Sequence, residues 1–165
     1  MIVNSWALCT SITGDISDPS QISDVIKKYN PDIIIHMAAQ SLVLKSYEYP
    51  LETFSTNTMG TVNLLDAIRK VGTPKVVLNV TSDKCYENKE LGIKFKEDDP
   101  MGGLDPYSSS KGCAELVTSA FRNSFFNIDD FDRHHVAIAS VRAGNVIGGG
   151  DWAEDRLIPD IFKNI

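Results

Sequence analysis

The chain has 165 residues, of which 42% are hydrophobic, 8% aromatic and 23% charged. This composition fits one globular domain and excludes collagen-like, low-complexity and disordered classes. The 16 Lys and Arg against 22 Asp and Glu leave a formal charge of −6, without the basic excess that nucleic-acid binders carry. No run approaches the roughly 20 apolar residues needed to span a bilayer, and Cys9, Cys85 and Cys113 are too sparse for a disulfide framework or a metal site.

Met1-Ile2-Val3 opens without the basic-then-apolar pattern of a signal peptide, so the cytoplasm is the expected compartment. Asp18-Pro19-Ser20-Gln21 predicts a helix start: Asp18 can cap, Pro19 suits the first helical position and Gln21 can reach back. Ile22, Val25, Ile26 and Tyr29 recur at helical spacing, and Asn30-Pro31 stops the helix. Residues 32–39 are short, mostly apolar and β-branched without alternation, which predicts a strand covered on both faces by helices. His36, between Ile35 and Met37, reads as a satisfied core histidine rather than a ligand.

A second helix is expected over about 51–71, ended by Gly72-Thr73-Pro74. Val76 to Val80 reads as a second buried strand, followed by a polar loop from about Glu87 to Pro106. A long helix follows over about 107–126. Val136 to Val141 is a third buried strand, and Gly148-Gly149-Gly150 a loop. Strands alternating with helices of this length imply an α/β fold with a parallel sheet, whose ligands bind beyond the carboxyl ends of the strands. The polar groups there are Ala38-Ala39-Gln40, Thr81-Ser82-Asp83-Lys84 and Arg142-Ala143-Gly144-Asn145.

Tyr107 and Lys111 stand four apart and share a helix face. A phenol titrates near 10 and is a poor base at neutral pH, and a nearby ammonium favours its phenolate. The apolar stripe Cys113, Leu116, Val117, Ala120 and Phe121 is expected to face the core, with Tyr107 and Lys111 about a third of a turn away. Ser82 and Asp83 should reach the same place from the preceding strand. Together the four form a candidate proton-transfer site.

These residues carry a resemblance. Gly14-Asp15-Ile16, HMAAQSLV (36–43), NTMGTVNLLDA (57–67), TSDKCY (81–86), DPMGGLDPYSSSKGCAE (99–115) and SVRAGNVIGGGDWAEDRLIPD (140–160) resemble the extended short-chain dehydrogenase/reductases, and among them the sugar-nucleotide 4,6-dehydratases. Ser82-Asp83-Lys84, the PMGG loop and the GGGDW segment favour the branch that acts on CDP-glucose over the dTDP-sugar branch.

The resemblance implies a tightly held NAD. It implies Tyr107 as base for the sugar 4-hydroxyl, Lys111 as modulator of that phenol and ligand of the nicotinamide ribose, and Ser82 as partner of the 4-oxygen. Asp83 is implied as acid for the leaving 6-hydroxyl, and Lys84 stands where relatives carry a glutamate base. Asp15 and Ile16 are implied at adenine, Ala38, Ala39 and Gln40 along the dinucleotide, Thr56 near the cofactor and Asn145 at the substrate. The resemblance also implies a homodimer through helices 51–71 and 107–126. Two other classes stay compatible: another nucleotide-sugar enzyme such as an epimerase, against which the Asp83 acid argues, and a non-catalytic binding relative.

The implied fold is a partial Rossmann-like, doubly wound parallel sheet over residues 1–165. It lacks the first βαβ unit with its glycine-rich turn, and the C-terminal substrate domain. On that reading residues 7–14 form a strand, residues 33–38 present an unpaired edge, and the chain on its own does not turn over substrate.

Overall fold

The computed structural model describes residues 9–72, 74–92 and 94–165. Helix α1, Pro19–Tyr29, starts as its sequence dictates. The Asp18 carboxylate accepts the backbone N–H of Ser20 at 2.9 Å and of Gln21 at 3.3 Å, and Pro19 fills the first turn. The Gln21 side chain donates to Asp18 Oδ2 at 2.8 Å and accepts from the Asp15 N–H at 3.3 Å. Asn30 closes the helix in the left-handed region, with φ 43°.

Strand β1, Ile33–His36, leads to the short helices α2, Val43–Glu48, and α3, Pro50–Phe54. The rod expected over 51–71 is continuous but not uniform. A π turn, Ser55–Met59, joins α3 to α4, Gly60–Val71. Strand β2, Val76–Ser82, runs into a 3-10 turn, Asp83–Cys85. Then come α5, Pro106–Ser124, α6, Phe131–His134, strand β3, Ala137–Ala143, and α7, Leu157–Lys163.

The three strands are parallel and ordered β1-β2-β3, with Ile33 opposite Val76, Val76 opposite Ala137 and Ser82 opposite Ala143. Consecutive order is what successive crossovers in one half of a doubly wound sheet produce. One sheet face meets the helices. Ile22 and Ile26 of α1, Leu64, Leu65, Ala67 and Ile68 of α4, Val77 of β2 and Ile138 of β3 form the core with Phe126 and Val136. Fully buried side chains such as Leu65 and Ile68 each contribute roughly 1.5–3 kcal/mol.

Three expectations are corrected. The strands are not covered on both faces: Ile33 and Ile35 are 61% and 57% exposed, and Val76 and Val141 on the same face are 40% exposed. Among the described residues all the core-forming helices lie on the other face, so a continuous apolar run in the sequence does not by itself imply two-sided burial. Residues 9–14 form no strand; their backbone pairs with no sheet edge, and residues 1–8 lie outside the described residues.

The third correction concerns α5. Val117 and Phe121 of the apolar stripe pack half-buried against the core, but Leu116 is 61% exposed, and the buried residues include Tyr107, Lys111, Glu115 and Thr118. A polar helix face can be buried where each group finds a partner, and β2 supplies them.

Candidate active site

Helix α5 lies along β2 in a row of polar contacts. Thr118 Oγ1 accepts from Asn79 Nδ2 at 2.8 Å, and the Thr81 hydroxyl donates to the Glu115 carboxylate. Lys111 Nζ donates to the Val80 carbonyl at 3.4 Å, and Ser82 at the end of the strand lines one cleft with Tyr107. Residues 107, 111, 115 and 118 stack on one helical face, so the row carries Tyr107 to the carboxyl end of the strand.

The start of α5 is fixed from several sides. Asp105 caps it, accepting the Ser108 N–H at 2.9 Å, with Pro106 in the first turn. The Tyr107 N–H donates to the hydroxyl of fully buried Ser46 at 3.1 Å, and that hydroxyl donates to the Val43 carbonyl at 2.6 Å. Ser110 Oγ donates to the Tyr107 carbonyl at 2.7 Å and accepts from Asn57 Nδ2 at 2.8 Å. Asn57 sits in the π turn, whose extra residue offsets the helix locally. It also holds the Gln40 backbone, N–H at 2.9 Å and carbonyl at 3.0 Å.

A cleft of about 940 Å³ opens at the carboxyl end of β2 and β3, lined in part by Ser82, Lys84, Tyr107, Asn145, Trp152 and Arg156. Ser82 Oγ donates to Asp83 Oδ1 at 3.2 Å and accepts the Lys84 N–H at 3.2 Å. Lys84 Nζ is 3.8 Å from Asp83 Oδ1 and donates to Asn145 Oδ1 at 3.3 Å. A hydroxyl, a carboxylate, an ammonium and a phenol therefore meet in one place, which is the equipment of paired acid–base chemistry.

Burial pushes the Tyr107 phenol up from its ordinary range. Ser82 and the Arg156 guanidinium pull it down, and Asp83 and Asp105 push it further up. The net direction is upward, against the lowering expected from the tyrosine–lysine pair. Burial holds the Lys111 ammonium below its ordinary value. His36 falls to about 4, from burial first and then from the charge of Lys111. Its ring meets Thr61 Oγ1 at 3.2 Å. Thr61 gives its own proton to the Asn57 carbonyl at 2.8 Å, so His36 is the donor in the pair. It is the satisfied core histidine that its flanking residues suggested.

The remaining candidates divide into two groups. Ala38 is exposed, Ala39 half-buried and Gln40 buried, all just past β1, with half-buried Thr56 in the π turn beside them. Asp15 and Ile16 lie away from the cleft, before α1. Asp15 accepts the Ser17 N–H at 2.8 Å, Ile16 packs on the start of α4 at Gly60, and Asn63 Nδ2 donates to the Ile16 carbonyl at 3.3 Å.

Arg156 was not singled out from the sequence, although its segment was. Its Nη2 donates to Ser41 Oγ at 3.0 Å, and its buried Nε, 3.6 Å from Asp151, makes no hydrogen bond. The sequence also gives no sign of Asn57, Ser46 and Glu115 as site residues, and marks Arg142 only as a polar residue beyond the third strand. Asn57, Glu115 and Arg142 lie inside the motif segments, but only tertiary contacts reveal what they hold.

The chain matches the GDP-mannose 4,6 dehydratase family over residues 6–128 and belongs to it. The resemblance drawn from its motifs is borne out at that level. It is 60% identical over 163 residues to CDP-glucose 4,6-dehydratase of Salmonella typhimurium, covering 99% of this chain and 45% of that protein. It is 30% identical to UDP-glucose 4-epimerase of Lacticaseibacillus casei over 91% of this chain and 44% of that one.

Among solved structures, dTDP-glucose 4,6-dehydratase from Streptomyces venezuelae, a double mutant with NAD and DAU bound, superimposes with a TM-score of 0.77 at 26% identity. The match covers 92% of this chain and 43% of that one. UDP-glucose 4-epimerase of Thermus thermophilus, complexed with NAD, gives 0.73 at 26% identity over 86% and 43%. The fold is therefore Rossmann-like, and the chain spans about half the length of the curated relatives it matches. No helix among the described residues is long and apolar enough to cross a membrane.

Proposed function

We propose that the protein dehydrates CDP-glucose to its 4-keto-6-deoxy product with NAD as resident cofactor. The observation that carries this reading is that Tyr107, Ser82 and Lys84 line one cleft, with the Asp83 carboxylate beside Ser82 and Lys84. Its 60% identity to a CDP-glucose 4,6-dehydratase supports the choice of substrate.

The donor set fits the cofactor. Lys111 Nζ has one long bond, 3.4 Å to Val80 O, and retains donors for ribose hydroxyls. Ala38, Ala39, Gln40 and Thr56 would lie along the dinucleotide, and Asp15 and Ile16 at its adenine end. Bound NAD supplies a hydride acceptor at sugar carbon 4 and a hydride donor at carbon 6.

Tyr107 takes the proton of the 4-hydroxyl, and Ser82 hydrogen-bonds the 4-oxygen. Burial opposes the phenolate that this step needs, and Ser82 and Arg156 favour it. The 4-ketone acidifies carbon 5. Lys84, held by Asn145 and Asp83, is placed to accept that proton once its own has passed to the Asp83 carboxylate, and Asp83 gives the proton so received to the departing 6-hydroxyl. Asn145 faces the sugar. An epimerase needs no acid for water loss, which is why the Asp83–Lys84 pair favours dehydration.

CDP-glucose deuterated at carbon 4 tests the reading on the whole protein. Deuterium at carbon 6 of a 4-keto-6-deoxy product is expected, and Tyr107→Phe should abolish most of the turnover. Label kept at carbon 4 of an inverted sugar, or lost to solvent, overturns it. We also propose a homodimer through helices 51–71 and 107–126, supported by outward Leu51, 85% exposed, and Leu116. A monomeric mass by light scattering refutes it.

A further inference from the structure

The turn that carries Ser82, Asp83 and Lys84 is gripped on both flanks by one buried ionic cluster. Glu115, 6% exposed, accepts from the Thr81 hydroxyl with one carboxylate oxygen and from Arg142 Nη2 with the other, at 3.0 Å. Thr81 immediately precedes the turn. Arg142 Nη1 donates to Tyr86 Oη at 2.8 Å, and the guanidinium lies 4.9 Å from the centre of the Tyr86 ring. Tyr86 immediately follows the turn.

Arg142 Nη1 also donates to the Glu97 carbonyl at 2.8 Å, and Tyr86 stacks on Phe95 at 4.6 Å between ring centres. The cluster thereby ties the loop after the turn to the same point. Strand register places the ion pair here, because Thr81 and Arg142 are opposite partners on β2 and β3. Glu115 is one helical turn beyond Lys111, on the same buried face of α5.

A buried ion pair is a poor means of stabilising a fold, since well-packed apolar side chains often do as well or better. What it does supply is directional bonds of fixed geometry. Both flanking residues, Thr81 and Tyr86, are held by the pair, whereas the side chains of Asp83 and Lys84 between them are half exposed and make long contacts of 3.2 to 3.8 Å, to Ser82, to each other and to Asn145. We infer that Glu115 and Arg142 are positioning residues that aim the Ser82-Asp83-Lys84 turn at the substrate, acting through Thr81 and Tyr86. The inference rests on the dehydratase reading above. The buried Cys85 thiol lies in the same cluster, and burial and the Glu115 charge push it up to about 11. It is therefore a packed, unreactive member of the clamp.

The test uses the whole protein and the variants Glu115→Gln and Tyr86→Phe. Glu115→Gln keeps the shape and removes the charge. Tyr86→Phe keeps the ring and the ion pair and removes one bond, so it serves where the first variant folds poorly. If the clamp aims the turn, kcat for dehydration falls at least 10-fold in Glu115→Gln and 2- to 5-fold in Tyr86→Phe, with KM changed less than 3-fold. Amide hydrogen exchange of residues 82–87 speeds up at least 10-fold in Glu115→Gln, and that of residues 107–118 changes less than 3-fold.

Unchanged kcat, or exchange that rises equally along α5, overturns the positioning role. Failure of the wild-type protein to move deuterium from carbon 4 to carbon 6 overturns the dehydratase reading instead, and the exchange measurement still reads the clamp without it.

Discussion

Asn57 Nδ2 donates to Ser110 Oγ at 2.8 Å, a bond between residues 53 positions apart that joins a π turn to the helix carrying Tyr107. Asn57 is 2% exposed and also holds both backbone groups of Gln40. One amide thus links the end of β1, the π turn and the start of α5, where Ala38, Ala39, Gln40, Thr56 and Tyr107 lie.

Asn57→Ala leaves the Gln40 N–H and carbonyl without their partner in a buried site. Unsatisfied groups of this kind cost roughly 1–3 kcal/mol each, so a loss of about 2–6 kcal/mol of folding stability is expected. Asn57→Asp keeps the acceptor for the Gln40 N–H and loses both donated bonds. Its urea midpoint should fall between those of the wild type and the alanine variant. Equal midpoints for all three would show that the amide carries no structural role.

His36 sets a pH dependence. Its folded value of about 4 lies below the ordinary 6.5, so between those values the unfolded chain binds the extra proton. Stability is therefore fully present above pH 6.5 and is lost as pH falls towards 4, by about 3 kcal/mol at the bottom of that window. His36→Gln removes the titration. Urea midpoints at several pH values should show a shallower decline for the variant than for the wild type across this window.

Two glycines should respond oppositely to alanine. A Cβ on Gly103 would stand 2.6 Å from the Ser108 carbonyl carbon and nearer still to the Ser109 nitrogen, both backbone atoms of α5. Gly103→Ala must push the loop off the helix start, at a cost of about 1–3 kcal/mol and with reduced turnover. A Cβ on Gly148 meets nothing within 4 Å, and Gly148→Ala should change stability by less than about 0.5 kcal/mol. Thermal unfolding of both variants checks the contrast.

Local chemistry determined where the elements lie. The Asp18-Pro19 start and Asn30 stop of α1 and the β-branched runs of the three strands are short-range signals, and the structure follows them closely, while α5 begins at Pro106, the last residue of the stretch read as loop. The motif segments also determined the family. Which face each element buries was decided only by tertiary packing. The apolar period of α5 pointed to Leu116, yet the helix buries Tyr107, Lys111, Glu115 and Thr118, because the adjacent strand offers each a polar partner and burial with a partner costs little. The π turn at Asn57, the Ser46 hydroxyl under the Tyr107 N–H and the Glu115–Arg142 pair likewise join residues distant in the chain. Such contacts leave no periodic trace along the chain, since a hydrogen bond depends on where two groups meet in space rather than on how far apart they stand in sequence.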